Sequence, residues 1–161
     1  MRVYLLRHGI AEDAGPRTPD SERQLTDKGR TKLGAVLRQA RRGGVQPELV
    51  LSSPLVRAVQ TAEMAREILE VESPVQTTPS LVPESHPVAV WNEIRELRKL
   101  EGLLLAGHEP LMSHLAAWLL DSPTLQIHMT KAALVCLELD NFGTGPHATL
   151  NWMLTPKVID A

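Results

Sequence analysis

Aromatic residues are scarce in this chain. Three Trp, one Tyr and one Phe make up 3% of 161 residues, so the interior must be built mainly from Leu, Val, Ala and Ile. Cysteine is scarcer still. The single Cys136 excludes an internal disulfide and any multi-cysteine metal cluster, and its setting in Ala133-Leu134-Val135-Cys136-Leu137 reads as buried strand. Charge of one sign is also missing. Seventeen Lys and Arg against 19 Asp and Glu give a formal charge of -2, which provides no field to draw the protein to nucleic acid or an anionic membrane. Any anion site must therefore be local. No stretch approaches the ~20 apolar residues of a membrane span. Four apolar residues before Arg7 are too few for a signal-peptide core, so a cytoplasmic location is expected. Repeats, heptads, a Walker-type glycine loop and a carboxylate-rich metal site are absent from the pattern.

What is present is an alternation of short apolar runs and amphipathic segments over a length that suits one domain, residues 1–161. Val3-Tyr4-Leu5-Leu6 reads as a first strand, ended by Arg7-His8-Gly9. Residues 10–23 are rich in Asp, Glu, Pro and Gly without a period and read as a loop. Thr26 can cap a helix whose apolar face is Leu33, Val36, Leu37 and Ala40; Arg41 and Arg42 suit its C-terminus, and Gly43-Gly44 ends it. Leu49-Val50-Leu51 is a second buried strand. Ser53 is then expected to cap the next helix with Pro54 in its first position, placing Arg57 in the first turn beside Thr61. Ala58, Ala62, Ala65 and Leu69 form that helix's apolar stripe. Residues 74–87 carry four prolines and read as a weak edge strand and a long loop.

A third helix is marked by Val88, Trp91, Ile94 and Leu97, with Glu93, Arg95, Glu96 and Arg98 assigned to solvent. Leu103-Leu104-Leu105-Ala106 is the clearest buried strand, followed by Gly107-His108-Glu109-Pro110 and a helix with Leu111, Leu115, Trp118 and Leu119 inside. His114 is expected to be a packing residue on that apolar stripe. Residues 134–139 and 149–154 form an antiparallel hairpin. The fold class is α/β: a three-layer sandwich with a mixed, mostly parallel central sheet and helices on both faces.

If the first, second and fourth strands are parallel, Arg7, His8, Arg57 and His108 share one carboxyl edge of the sheet, where open α/β sheets hold their ligands. Two arginines brought into one cleft repel each other unless an anion lies between them, which implies a phosphoryl group. Guanidinium groups bind phosphate bidentately, and a neutral histidine held through one ring nitrogen can attack through the other.

These residues carry a family resemblance. Arg7-His8-Gly9 after an initial strand, Ser52-Ser53-Pro54 with Arg57 and Thr61, and Gly107-His108 after a later strand resemble the histidine phosphatase superfamily. The short chain, Gln24-Leu25-Thr26 with Gly29, and Asn151-Trp152 are similar to the SixA-type phosphohistidine phosphatases. The resemblance implies that His8 is the nucleophile of a phosphohistidine intermediate, that Arg7, Arg57 and His108 bind the transferring phosphoryl group, and that neither cofactor nor metal is required. It offers Glu84 as a proton donor for the leaving group.

Glu109 can instead serve its helix start, Glu12 and Asp13 can close over the site, and His86, His128 and His147 are assigned no catalytic role. A phosphoramidate needs an acid less than an ester does, because imidazole's conjugate acid has a pKa of about 6.5. The expected activity is removal of phosphate from phosphohistidine on a protein. The alternatives are a phosphatase or mutase for a small phosphorylated metabolite, which needs a lid and a firm acid, and a phosphoryl-binding module without turnover.

Overall fold

The computed structural model describes residues 1–159. Among them a six-stranded sheet runs β3-β2-β4-β1-β5-β6, formed by β1 (Arg2–Arg7), β2 (Leu49–Ser52), β3 (Gln76–Thr77), β4 (Gly102–Gly107), β5 (Leu134–Leu139) and β6 (Ala148–Leu154). The first four strands are parallel; β5 pairs antiparallel to β1, and β6 pairs antiparallel to β5 at the edge. The expected mixed, mostly parallel α/β sheet is therefore present.

Helices cover both faces because the central strands are apolar on both. Val3 and Leu5 of β1 face a core with α3 (Pro87–Glu96) and α4 (Leu111–Leu119), while Tyr4 and Leu6 face one with α1 (Asp27–Arg42) and α2 (Val56–Ile68). All six residues of β4 are buried. A short α5 (Pro156–Ile159) packs beside α1.

Helix α1 follows its sequence closely. Thr26 Oγ1 accepts from Gly29 N at 3.0 Å, Leu33, Val36, Leu37 and Ala40 are buried, and Arg41 and Arg42 lie in the last turn. Elsewhere the phase or boundary differs. Helix α2 begins at Val56 with Leu55 at its cap, two residues later than a Ser53 cap requires. Trp91 and Ile94 of α3 are buried as expected, but Val88 is 54% exposed and Val90 is buried in its place. Glu93 is not a solvated charge: its Oε1 accepts from Thr78 Oγ1 at 2.5 Å and Ser80 Oγ at 2.6 Å, tying α3 to the turn after β3. His114 is exposed, because α4 buries Leu111, Met112, Leu115, Ala116 and Leu119 and turns position 114 outward. Trp118 is only partly buried against the core.

The register aligns the strand ends that matter. Arg7 pairs with Gly107 across β1 and β4, and Ser52 pairs with Ala106 across β2 and β4. His8 N donates to Gly107 O and Ser53 N to Ala106 O, both at 3.0 Å, so the ladder continues one residue past each strand. Three segments far apart in sequence thus end side by side.

Candidate active site

His8, Arg57 and His108 meet at this edge and are nearly removed from solvent, with exposures of 6%, 4% and 1%. The His8 and His108 ring centroids are 5.0 Å apart. His8 Nδ1 lies 2.7 Å from the carbonyl oxygen of Gly9. A carbonyl can only accept, so Nδ1 carries the proton and Nε2 keeps its lone pair. That lone pair faces Arg57, whose Nε donates to it at 3.4 Å.

Burial holds His8 down to a pKa of about 4, helped by the charges of Arg57, Arg7 and Lys131 and opposed by the Gly9 carbonyl. His108 is held lower, at about 3, first by burial and then by His8 and Arg57. Both imidazoles are therefore neutral around pH 7. His108 Nε2 is 2.8 Å from Ser53 Oγ, and its Nδ1 is buried without a hydrogen-bond partner among the described residues.

Arg57 is placed by the first turn of α2 and by two local contacts. Its carbonyl accepts from Thr61 Oγ1 at 2.7 Å, and the same hydroxyl accepts from Gly9 N at 3.2 Å, tying the His8 segment to α2. Its guanidinium reaches Asp20 twice: Nη1 donates to the backbone oxygen at 2.7 Å and Nη2 to Oδ2 at 3.1 Å. Arg23 and Arg57 hold the Asp20 carboxyl below its ordinary range. Arg7 donates from Nη1 to Met129 O at 2.7 Å, while its Nε is buried with no partner among the described residues. Burial lowers the Arg7 pKa, with Glu109 opposing. Arg7, Arg57 and Lys131 against Asp20 and Glu109 leave an excess of positive charge around two neutral rings, a setting that favours an anion.

The four residues singled out in the sequence, Arg7, His8, Arg57 and His108, are thus brought to one strand edge. Glu84 is exposed in the turn after the 3-10 segment Pro79–Leu81 and makes no hydrogen bond to that group among the described residues. Glu109 Oε1 accepts from Ser113 N at 2.9 Å, the helix-start role expected of it. Asp20 and Met129 are additions. Asp20 lies in a loop without periodicity, and Met129 contributes only its carbonyl, which no side-chain pattern reveals. Ser53 is also reassigned: its hydroxyl meets His108 and accepts from Leu55 N at 3.3 Å rather than capping the helix after Pro54.

One glycine completes the geometry. A Cβ on Gly29 would run into the carbonyl oxygen of Ile10, which already accepts from Thr26 N at 2.9 Å. Helix α1 can approach the segment after His8 only because position 29 has no side chain.

Comparison with known proteins agrees with this arrangement. Residues 3–82 match the sequence model of the histidine phosphatase superfamily, branch 1. Phosphohistidine phosphatase SixA of Escherichia coli strain K12 is 30% identical over 158 residues, 97% of this chain and 94% of that protein. The solved structure of the protein histidine phosphatase SixA complexed with tungstate superposes with a TM-score of 0.88 at 30% identity, covering 99% of each chain. The fold extends to a mycobacterial glucosyl-3-phosphoglycerate phosphatase, with a TM-score of 0.68 at 20% identity, 93% of this chain and 96% of that one. With its likeness to SixA running nearly end to end, and its Arg-His-Gly strand end facing a second arginine and a second histidine, the chain belongs to the histidine phosphatase superfamily.

Proposed function

We propose that this protein hydrolyses phosphohistidine on another protein through a covalent phospho-His8 intermediate. The observation that carries this reading is the His8 tautomer: Nδ1–H is fixed on the Gly9 carbonyl, and the Nε2 lone pair faces Arg57. In the first step Nε2 attacks phosphorus, the P–N bond to the substrate imidazole breaks, and the transferring group is held by Arg7, Arg57 and His108. The buried Nε of Arg7 and Nδ1 of His108, which have no hydrogen-bond partner among the described residues, are the donors still open to phosphoryl oxygens, the Ser53 hydroxyl then donating to His108 Nε2. In the second step water attacks phospho-His8, the P–Nε2 bond breaks, and phosphate departs.

The Gly9 carbonyl serves both steps. Once Nε2 is phosphorylated, the proton on Nδ1 makes the ring cationic, and the carbonyl stabilises that form. His8 then leaves phosphorus as a neutral imidazole with no further acid. The substrate imidazole leaves in the same way after protonation at its distal nitrogen, near its ordinary pKa of about 6.5. An exposed Glu84 tied to none of the four site residues fits a substrate of this kind better than an ester, whose alkoxide needs a positioned acid. The likeness to SixA over nearly all of the chain supports the same substrate class.

The test is direct. The protein is incubated with a phosphohistidine-bearing phosphotransfer domain and, separately, with a panel of sugar and alkyl phosphates, each alongside His8→Ala. Faster turnover of the domain, abolished in His8→Ala, is expected. Preferential turnover of an ester would assign the protein to small metabolites and return Glu84 or Asp20 to consideration as proton donor. Tight phosphate binding with no release from any substrate would make it a binding module.

A further inference from the structure

Next to the phosphoryl site lies a cavity of 380 Å³ that the chemistry above does not use. It is lined by Ile10, Lys32, Thr130, Lys131, Pro156 and Lys157. Two of its walls grow directly out of the site. Ile10 follows His8-Gly9, and Thr130-Lys131 follows Met129, the residue whose carbonyl holds Arg7. The backbone closes this junction, because Ala132 N donates to the carbonyls of Arg7 and His8 at 3.2 and 3.1 Å. The cavity is thus walled by residues one to three positions from the segments that carry His8 and that hold Arg7.

The lining combines two chemistries. Ile10 and Pro156 give it an apolar part, and Val158 next to Lys157 is 68% exposed, an uncovered aliphatic side chain on the same short helix. Lys131 and Lys157 supply positive charge, and neither makes an ion pair or side-chain hydrogen bond among the described residues. Thr130 Oγ1 is buried with no hydrogen-bond partner among the described residues. An apolar cavity rimmed by two ammonium groups that form no ion pair among the described residues matches a chain segment bearing carboxylates and one aliphatic side chain.

We infer that this cavity is the docking subsite for an acidic, apolar-anchored segment flanking the phosphohistidine of the substrate protein, and that Lys131 and Lys157 determine substrate choice. The inference rests on the phosphohistidine reading above and narrows it. Lys131 has a second effect, since its charge also acts on His8. Lys157 is therefore the cleaner reporter.

Two phosphohistidine peptides of equal length test the idea, one continuing Asp-Leu-Glu after the phosphohistidine and the other Ser-Leu-Ser. At low ionic strength the unaltered protein is expected to favour the acidic peptide about tenfold in kcat/KM, with the preference collapsing as salt rises. Lys157→Glu should bring the two peptides to within about twofold, and Lys131→Glu with Lys157→Glu should reverse the preference. The circular dichroism spectrum reports whether each variant is folded, and turnover of phosphoramidate reports whether Lys157→Glu keeps an intact phosphoryl site. If a variant fails to fold, the peptide preference of the unaltered protein and its salt dependence decide. Equal turnover of both peptides, or a preference that survives Lys157→Glu, overturns the docking subsite while leaving phosphohistidine hydrolysis intact. Turnover of phosphate esters with neither peptide hydrolysed overturns the substrate class, and the subsite with it.

Discussion

Asp20 occupies two of the donors that Arg57 would present to a phosphoryl group. Its backbone oxygen accepts from Nη1 at 2.7 Å and its carboxylate from Nη2 at 3.1 Å, leaving Nε directed at His8. The pair is uneven: the Arg57 side chain is 5% exposed and that of Asp20 is 56% exposed. The arginine is fixed in the fold, whereas the carboxylate comes from a surface loop. On the reading proposed above, an incoming phosphoryl group would compete with Asp20 for the same guanidinium.

Asp20→Ala should therefore strengthen binding of inorganic phosphate. Half-exposed ion pairs contribute up to about 1 kcal/mol, so a three- to fivefold fall in the phosphate dissociation constant is expected, measured by calorimetry. The effect should shrink with added salt. Weaker binding in the variant would mean that Asp20 orients Arg57 more than it competes.

His8→Ala should abolish acid-labile phosphorylation of the protein and lower turnover by at least about 10³-fold, as removal of a nucleophile from a cooperating group does. Arg57→Lys keeps the charge but loses the planar fork. A fall in kcat/KM of roughly 10²- to 10³-fold is expected. Rapid acid quench with labelled substrate separates the two variants, because only Arg57→Lys should still form the labelled intermediate.

The two imidazoles should titrate far below the ordinary histidine range. NMR signals of His8 and His108 are expected to move with midpoints of about 4 and about 3, and both midpoints should rise when phosphate is bound. Stability follows with a defined sign. Between the unfolded value of about 6.5 and these folded values, the unfolded chain binds more protons, so stability is greatest above 6.5 and falls as pH drops toward 4 and 3. A midpoint near 6.5 for either ring would contradict the burial that places it.

Much of this arrangement is legible in the sequence because the informative signals are local. Arg7-His8, Arg57 and His108 each come after a short apolar run that reads as strand, and the parallel pairing of those runs brings them to one edge. The remainder depends on relations that sequence spacing does not encode. Asp20 reaches Arg57 from a loop of no period, across 37 positions. Ser53 reads as a helix cap because Ser-Pro before a helix usually is one, yet the Pro54-Leu55 turn delays the helix and frees its hydroxyl for His108. His114 sits three residues after buried Leu111, but the buried stripe of α4 runs through Met112 and Ala116 and excludes it. Glu93 reads as solvated among its charged neighbours until Thr78 and Ser80, brought over by the turn after β3, supply its partners.

Gly29 sits far from the chemistry in sequence terms and should still control it. Gly29→Ala places a methyl group against the Ile10 carbonyl, which is backbone and cannot swing away. Overpacking of this kind costs about 1–3 kcal/mol or more, even though alanine favours helix. A lower thermal midpoint is expected together with weakened phosphate binding, because relief of the clash moves the segment that carries His8 and Gly9. Gly34→Ala in the same helix is the control: its added methyl group would meet the Arg38 guanidinium, the far end of a flexible side chain, and should cost little.

Ser53→Ala tests whether His108 acts through its orientation. The Ser53 hydroxyl lies 2.8 Å from Nε2 and leaves Nδ1 as the ring atom available to a phosphoryl oxygen. Without it the ring keeps its burial but loses the one hydrogen-bond partner it has among the described residues and can adopt either tautomer. Turnover should fall about tenfold while His8 phosphorylation still occurs, since the nucleophile and Arg57 are untouched. Thr at position 53 restores a hydroxyl and should recover most of the loss. If Ser53→Thr is as slow as Ser53→Ala while both remain folded, packing at the end of β2 rather than the hydrogen bond sets the position of His108.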